Sequence, residues 1–224
     1  MRAPISVIIP TLNAQEHLGA CLRALMPGLE AGLIRELIVS DGGSSDATVE
    51  IAKAWGAEII QGSPSRGAQL ARACGAAQGR WLLVLHADTR LENNWVGSAI
   101  VHMDGHKAGW FRLAFNDGGW AGHIVAAWAN LRSKFGLPYG DQGLLIPAAL
   151  YDHVGGYPNQ PLMEDVAIAR ALKGHLSGID ATAVTSAVRY QKQGWLRRGG
   201  RNIWTLVRYF GGVSPHRLAD SYRS

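Results

Sequence analysis

Two cysteines, Cys21 and Cys74, are too few to staple a chain of 224 residues with disulfides. Both fall in helical patterns, so they read as small core residues of a reducing compartment. No run of about 20 apolar residues occurs, so no membrane-spanning helix is expected. The apolar run behind Met1-Arg2-Ala3-Pro4 stops at Pro10, too short for a secretory signal, and the expected location is the cytoplasm. Internal repeats and low-complexity tracts are also missing. Charged residues make up only 17% and hydrophobic ones 47%, which excludes a disordered chain and supplies a core.

The net charge of +5 is unevenly spread. From Ala187 onward there are eight basic residues and one acid, a surplus of seven; the first 186 residues carry fourteen bases and sixteen acids. The chain is a near-neutral body with a basic tail.

Ile5 to Ile9, Glu36 to Ser40, Ala57 to Ile60 and Trp81 to Leu85 are apolar, largely β-branched or leucine-rich runs that read as buried strands. Helical patterns lie between them, at Glu16 to Met26, from the capping residues Ser44, Ser45 and Asp46 through Ala54, and at Arg66 to Ala77. This alternation implies βαβ crossovers and a largely parallel sheet covered on both faces. In the second half, strands are expected at Trp110 to Phe115, Gly143 to Ile146 and Val184 to Tyr190. Helices are expected at Ile124 to Phe135, Ala148 to Val154, Glu164 to Leu172 and Asn202 to Phe210. Trp81 and Trp128 are expected in the core, while Trp110 and Trp195 are candidates for a binding site.

Ligands of such a sheet bind beyond the carboxyl ends of the strands. Three loops lie there: Pro10 to Asn13, Asp41-Gly42-Gly43-Ser44-Ser45-Asp46, and His86-Ala87-Asp88. The second is neither a dinucleotide fingerprint nor a Walker loop. Its glycines and free helix-start N–H groups suit an anion, and Asp41 suits a base N–H or a ribose hydroxyl; a capped turn would look the same. His86-Ala87-Asp88 suits a divalent metal held against a diphosphate, or a plain strand-end turn. Glu164-Asp165, behind the loop Gly155 to Pro161, suits proton transfer or ordinary helix capping.

Together, Ser6 to Asn13, Glu36 to Asp46, Arg66-Gly67, Leu83 to Asp88, Glu164-Asp165 and Gln191-Lys192-Gln193-Gly194-Trp195 resemble glycosyltransferase family 2, in the right order over residues 4 to 200. The likeness is greatest to small soluble members with His-Ala-Asp at the metal motif. The resemblance implies an α/β fold of the GT-A type, a Rossmann-like, mostly parallel sheet flanked by helices. It implies a single domain over 1–224, with a nucleotide-sugar half (1–103), an acceptor half (104–190) and a basic helical tail (191–224).

The implied reaction is inverting transfer from a nucleotide sugar, UDP- or GDP-linked, to an unidentified acceptor hydroxyl. By the same resemblance Pro10, Thr11 and Asn13 line the nucleotide pocket, Asp41 bonds the base, and Arg66 meets the diphosphate or base. Asp88 would ligate Mn²⁺ or Mg²⁺; His86 stands where the family has an acid and is a poorer Mg²⁺ ligand. Asp165 is the expected base, with Glu164 the alternative. Asp141 and Gln142 suit sugar hydroxyls, and Trp195, Arg197 and Arg198 belong to a segment that closes over the diphosphate.

Two other readings compete. A nucleotidyltransferase would show a Gly-rich loop and Lys after the first strand, where Pro10-Thr11-Leu12-Asn13 stands instead. A basic module binding phosphates through the tail needs no catalysis, but no nucleic-acid motif accompanies the tail and nucleic acid is not an expected partner. Peripheral contact of the tail, through Leu206 and Phe210, with the inner face of a membrane is left open. Oligomeric state is not readable.

Overall fold

Strands that are apolar without a break exist only where both faces are covered. A computed structural model describes residues 2–223. In chain order the elements are β1 (Ile5–Thr11), α1 (Gln15–Arg23), α2 (Met26–Glu30), β2 (Ile34–Asp41), α3 (Thr48–Ala54), β3 (Glu58–Gln61), α4 (Arg66–Ala76), β4 (Trp81–Val84), β5 (Thr89–Leu91) and α5 (Trp95–Met103). There follow β6 (Ala108–Asn116), α6 (Gly119–Lys134), a 3₁₀ turn at Gly140–Gln142, β7 (Leu144–Pro147), α7 (Ala148–His153), α8 (Glu164–Ala171), β8 (Leu176–Ser186), α9 (Val188–Gln193), α10 (Trp195–Phe210) and α11 (Pro215–Arg223).

All eight strands form one sheet in the order β3-β2-β1-β4-β7-β6-β8-β5. β1 runs parallel to β2 and β4, and β2 parallel to β3. β7 then turns the direction: it is antiparallel to both β4 and β6. β8 is parallel to β6 and antiparallel to β5. The parallel character expected of the whole sheet is thus concentrated in its first half.

The two-residue period of a strand sorts the apolar side chains into two layers. Ile5, Val7, Ile9, Val39, Leu83 and Leu85 join one cluster with Leu18, Cys21 and Leu22 of α1, Ala52 of α3 and Trp95 of α5. Ile8, Ile38, Leu82 and Val84 join the other, with Leu70, Ala73 and Cys74 of α4, Tyr151 of α7 and Ile168 of α8. Both cysteines are free and buried, as the sequence suggested, and burial pushes each thiol up to about 12.

Several elements differ from the sequence reading. The strand expected at Val184 to Tyr190 is Leu176–Ser186, and Val188–Gln193 is helical. The sequence Leu176-Ser177-Gly178 looks like a loop, yet it is held in register against β6 from Ala108 onward. α10 begins at Trp195, not Asn202, because Gly194 at φ 82° is the break and Gly199-Gly200 lie inside the helix. β5, α5 and α11 were not anticipated.

α6 is inverted relative to an ordinary surface helix. Its inward residues are small, Gly122, Ala126, Ala129 and Ser133. Trp128, expected in the core, is instead 56% exposed on its outward side. The cause is the close approach of Trp195, whose ring lies 3.0 Å from where a Gly122 Cβ would be.

The loop before α8 packs back on the start of α4. The Gly67 N–H donates to the Gln160 carbonyl at 3.1 Å, and a Cβ on Gly67 would lie 2.2 Å from the Pro158 carbonyl oxygen. Gly75, in the same helix, has nothing within 4 Å of its Cβ position. Gly67→Ala is therefore expected to destabilise the protein by about 1–3 kcal/mol. Gly75→Ala should be neutral or stabilising by about 0.5–1 kcal/mol. Denaturant melts of the two variants check the contrast; equal effects would mean that the loop does not press on α4.

Candidate active site

The carboxyl ends of β1, β2 and β4 open on the same edge of the sheet, and their side chains are set by short-range bonds. Gln69, buried in α4, donates its Nε2 to the carbonyls of both Thr11 and Ser40 at 2.8 Å, clamping the ends of β1 and β2 together. Asp41 is fully buried beside them. Its Oδ1 accepts from the hydroxyls of Thr11 (2.9 Å) and Ser44 (2.5 Å), and its Oδ2 from the N–H groups of Gly43 (2.9 Å) and Ser44 (2.8 Å). Burial alone would raise this carboxyl, but the four donors outweigh it and hold the pKa below the usual value. Asn13, in the left-handed region at φ 50°, accepts from the Ser45 N–H at 2.9 Å and so ties the first loop to the second.

Two hollows adjoin at this edge. The larger, about 320 Å³, is lined by Pro10, Thr11, Asn13 and Gln69; the smaller, about 150 Å³, by Tyr139, Gly140, Asp141, Asp165, Tyr190 and Arg198. Arg66, His86, Asp88, Leu162 and Arg189 line both, so the metal-motif residues stand where the two hollows meet.

Asp165 stands at the start of α8, behind Met163 at φ 65°. Its Oδ2 accepts the Gly140 N–H at 2.9 Å and its Oδ1 accepts the Val166 N–H at 2.8 Å. A Cβ on Gly140 would lie 2.5 Å from His86 Nε2, so only glycine lets the imidazole reach this position. Burial, with the nearby charge of Arg66 and Arg189 and against that of Asp88 and Asp165, lowers the His86 pKa to about 4. The His86 imidazole is therefore neutral at pH 7.

Glu164 lies below this floor, 1% exposed, with Oε1 3.4 Å from Arg66 Nη1 and Oε2 without a partner. Burial pushes its carboxyl up to about 7, although Arg66 opposes the shift. Asp141 is likewise raised by burial to about 6, with Arg132 opposing.

The structure thus brings Pro10, Thr11, Asn13, Arg66, His86, Asp88, Asp141, Asp165 and Arg198 to the two hollows. Others expected there are elsewhere. Gln142 is fully buried: its Oε1 accepts from Ser133 and Tyr139, and its Nε2 donates to Phe111 O and Asn130 Oδ1, so it holds the 3₁₀ turn in place and no sugar hydroxyl reaches it. Trp195 stacks on Tyr190 (centroids 4.8 Å) and edge-on to Phe115 (5.3 Å), with its ring against Gly118 and Gly122, outside both hollows. Trp110 is buried. Arg197 points to solvent. Arg189 was missed because the sequence reading put it inside a strand; with β8 ending at Ser186, it falls at the strand end where ligands bind.

Among the described residues no three His, Cys, Asp or Glu side chains are gathered closely enough to hold a metal ion. The donors on hand are Asp88 and the neutral His86. They fit a hard divalent cation only if most of its oxygen ligands arrive with a phosphate group and water.

The family model described as "Glycosyl transferase family 2" matches residues 6–143. Glycosyltransferase AglE of Haloferax volcanii is 26% identical over 170 residues, 69% of this chain and 56% of AglE. Glucosyl-3-phosphoglycerate synthase of Mycolicibacterium smegmatis is 43% identical over 56 residues, 25% of this chain and 18% of that protein. Among solved structures, Staphylococcus aureus TarS (residues 1–349) with UDP-GlcNAc has a TM-score of 0.64 at 17% identity, covering 82% of this chain and 58% of that one. Glucosyl-3-phosphoglycerate synthase from Mycobacterium tuberculosis, in complex with Mn²⁺, UDP and glucosyl-3-phosphoglycerate, has a TM-score of 0.56 at 21% identity, covering 81% and 71%. The fold is therefore the GT-A fold that the sequence resemblance implied. The chain spans little more than half the length of AglE and of that TarS fragment.

The state of Glu164 sets a pH dependence. Its carboxyl binds a proton up to about pH 7 in the folded chain against 4.5 as the ordinary value, so between those limits the folded state holds a proton that the unfolded state releases. Stability from this group is present below pH 4.5 and is lost as pH rises toward 7. Glu164→Gln copies the protonated acid and removes that loss. The melting temperature of Glu164→Gln relative to the wild type should climb between pH 5 and pH 8; a constant difference would mean the carboxyl is already ionised at pH 5.

Proposed function

This chain belongs to glycosyl transferase family 2, and on that footing we propose that it transfers a glycosyl unit from a nucleotide-diphosphate sugar to an acceptor hydroxyl, with inversion at the anomeric carbon. The observation that carries this reading is that Asp165 opens on the smaller hollow beside Arg66, His86, Asp88 and Arg189, which line both hollows. A carboxylate in one hollow and cations at its junction with the other are what proton removal from an acceptor and departure of a diphosphate require.

The larger hollow takes the nucleotide, with the base near Pro10, Thr11 and Asn13. UDP is the first donor to test, since TarS is solved with UDP-GlcNAc and the mycobacterial synthase with UDP and Mn²⁺. Asp41 shapes the loop around the base; a base N–H that reached Asp41 would have to replace the Ser44 hydroxyl on Oδ1. Arg66 and Arg189 face the diphosphate from two sides, and Arg198 approaches it from α10. A Mn²⁺ or Mg²⁺ ion bound with the donor would be held by Asp88 and His86 and would neutralise charge on the leaving diphosphate. His86-Ala87-Asp88 groups the chain with the small members that carry histidine in the metal motif.

The smaller hollow takes the acceptor. Asp165, fixed at both oxygens by backbone N–H groups, keeps free lone pairs to receive the acceptor proton as the glycosidic bond forms. Glu164 is too deeply buried to touch an acceptor and acts instead by holding Arg66. Asp141 and Tyr139 bound the acceptor's far side.

Asp165→Asn should cut donor turnover by a factor of about 10²–10⁴ while leaving the rise in melting temperature with UDP and Mn²⁺ unchanged. Full turnover in that variant would remove Asp165 from the reaction. Arg189→Ala should lose most of the nucleotide-induced rise, measured in the same thermal-shift assay over UDP-, GDP-, ADP- and dTDP-sugars.

A further inference from the structure

The outward side of α6 carries Trp120, Ile124, Trp128, Leu131 and Phe135, spaced at three and four residues. Trp120 and Phe135 are each 78% exposed, and the other three are about half exposed. Four of the five fall within the helix and Phe135 caps it, so one narrow stripe along α6 is bulky and apolar while the inward side is small. α10 repeats the arrangement. Leu196 is 93% exposed and Trp204 62%, with Ile203 and Val207 at the same spacing. α10 begins at Trp195, whose ring lies against Gly118 and Gly122 of α6, so the two helices are neighbours. Isolated exposed apolar residues need no explanation, but two stripes on adjacent helices exceed what a monomer ordinarily leaves in water.

Charge selects the occupant. On α10 the apolar stripe is flanked by Arg197, Arg201 and Arg208, and on α6 by Lys134. The tail as a whole carries a surplus of seven positive charges. A second copy of the chain meeting this face across a two-fold axis would set that surplus against itself. An anionic lipid surface offers the opposite sign together with an apolar interior, and tryptophan beside arginine and lysine suits the boundary between the two.

We infer that α6 and α10 form a lipid-docking surface, on which the exposed tryptophans enter the headgroup region of an anionic bilayer and the flanking arginines meet its phosphates. The basic tail alone, seen in the sequence, accounts for half of this surface; α6, with Arg132 and Lys134 and no acid, supplies the other half. α9 and α10 also carry Tyr190 and Arg198 of the smaller hollow, so the docking surface and that hollow share these two helices.

The test is co-sedimentation of the full chain with vesicles of phosphatidylcholine containing about one-quarter phosphatidylglycerol, against pure phosphatidylcholine, with tryptophan emission read in parallel. Expected is binding to the anionic vesicles with a blue shift of emission, weakened in about 1 M salt, where the Debye length falls to about 3 Å. Two variants separate the helices: Trp120→Ser/Trp128→Ser/Phe135→Ser on α6, and Leu196→Ser/Trp204→Ser on α10. Each should weaken binding by at least about tenfold with an unchanged melting temperature. Binding that survives both variants would reduce the contact to charge alone and overturn the insertion. Equal partitioning to both vesicle types would overturn the choice of an anionic surface. A dimer in sedimentation equilibrium that either variant dissolves would assign the face to a second copy. Vesicle binding is read with no substrate present, so its failure leaves the proposed transfer untouched.

Discussion

The site hangs on one hydrogen bond, from the Gly140 N–H to the Asp165 carboxylate. It joins the 3₁₀ turn before β7 to the start of α8, and His86 from the end of β4 is pressed against the same glycine. Three segments more than twenty residues apart in sequence therefore meet at a residue without a side chain. Any Cβ there would push the imidazole away, and the wall shared by the two hollows would shift with it. Gln142, buried two residues on, keeps the turn from relaxing by spending all of its hydrogen-bonding capacity on Phe111, Asn130, Ser133 and Tyr139.

Electrostatics then divides the carboxylates by depth. Asp41 is buried yet stays acidic because four donors surround it. Glu164 is buried with one partner at 3.4 Å and becomes a weak acid. The outcomes differ because Glu164 is set deeper and receives fewer hydrogen bonds than Asp41. The adjacent acids at the head of α8 differ in placement: Asp165 lines the hollow with both oxygens bonded to N–H groups, while Glu164 points under the floor.

Much of the first half was legible in the sequence because its strands are unbroken apolar runs and its helices carry their apolar residues at helical spacing. The loops at the ends of β1, β2 and β4 could be named from that alone. The second half resisted for identifiable reasons. β8 is built from small and polar residues, and only its pairing with β6 and β5 makes it a strand. Placing it eight residues late hid Arg189 within the supposed strand. The helix expected from Ile124 begins five residues earlier, at Gly119, and Gly118 and Gly122 admit the ring of Trp195. Gln142 and Trp195 read as ligand-facing by residue type, and nothing local in the sequence reveals that each is enclosed by neighbours from other elements. Trp128 failed in the other direction: a tryptophan at helical spacing ordinarily faces inward, and here the inner side is filled by another helix's tryptophan.

β7 has a consequence in time rather than in space. It sits in the middle of the sheet, between β4 and β6, but is made some sixty residues after β4. Until Leu144 to Pro147 leave the ribosome, the growing chain holds a parallel βαβ unit whose β4 edge is open and whose outer strand is wholly apolar. Such an edge is a template for pairing with another nascent chain. The centre of the sheet therefore closes only after about two-thirds of the chain has been made.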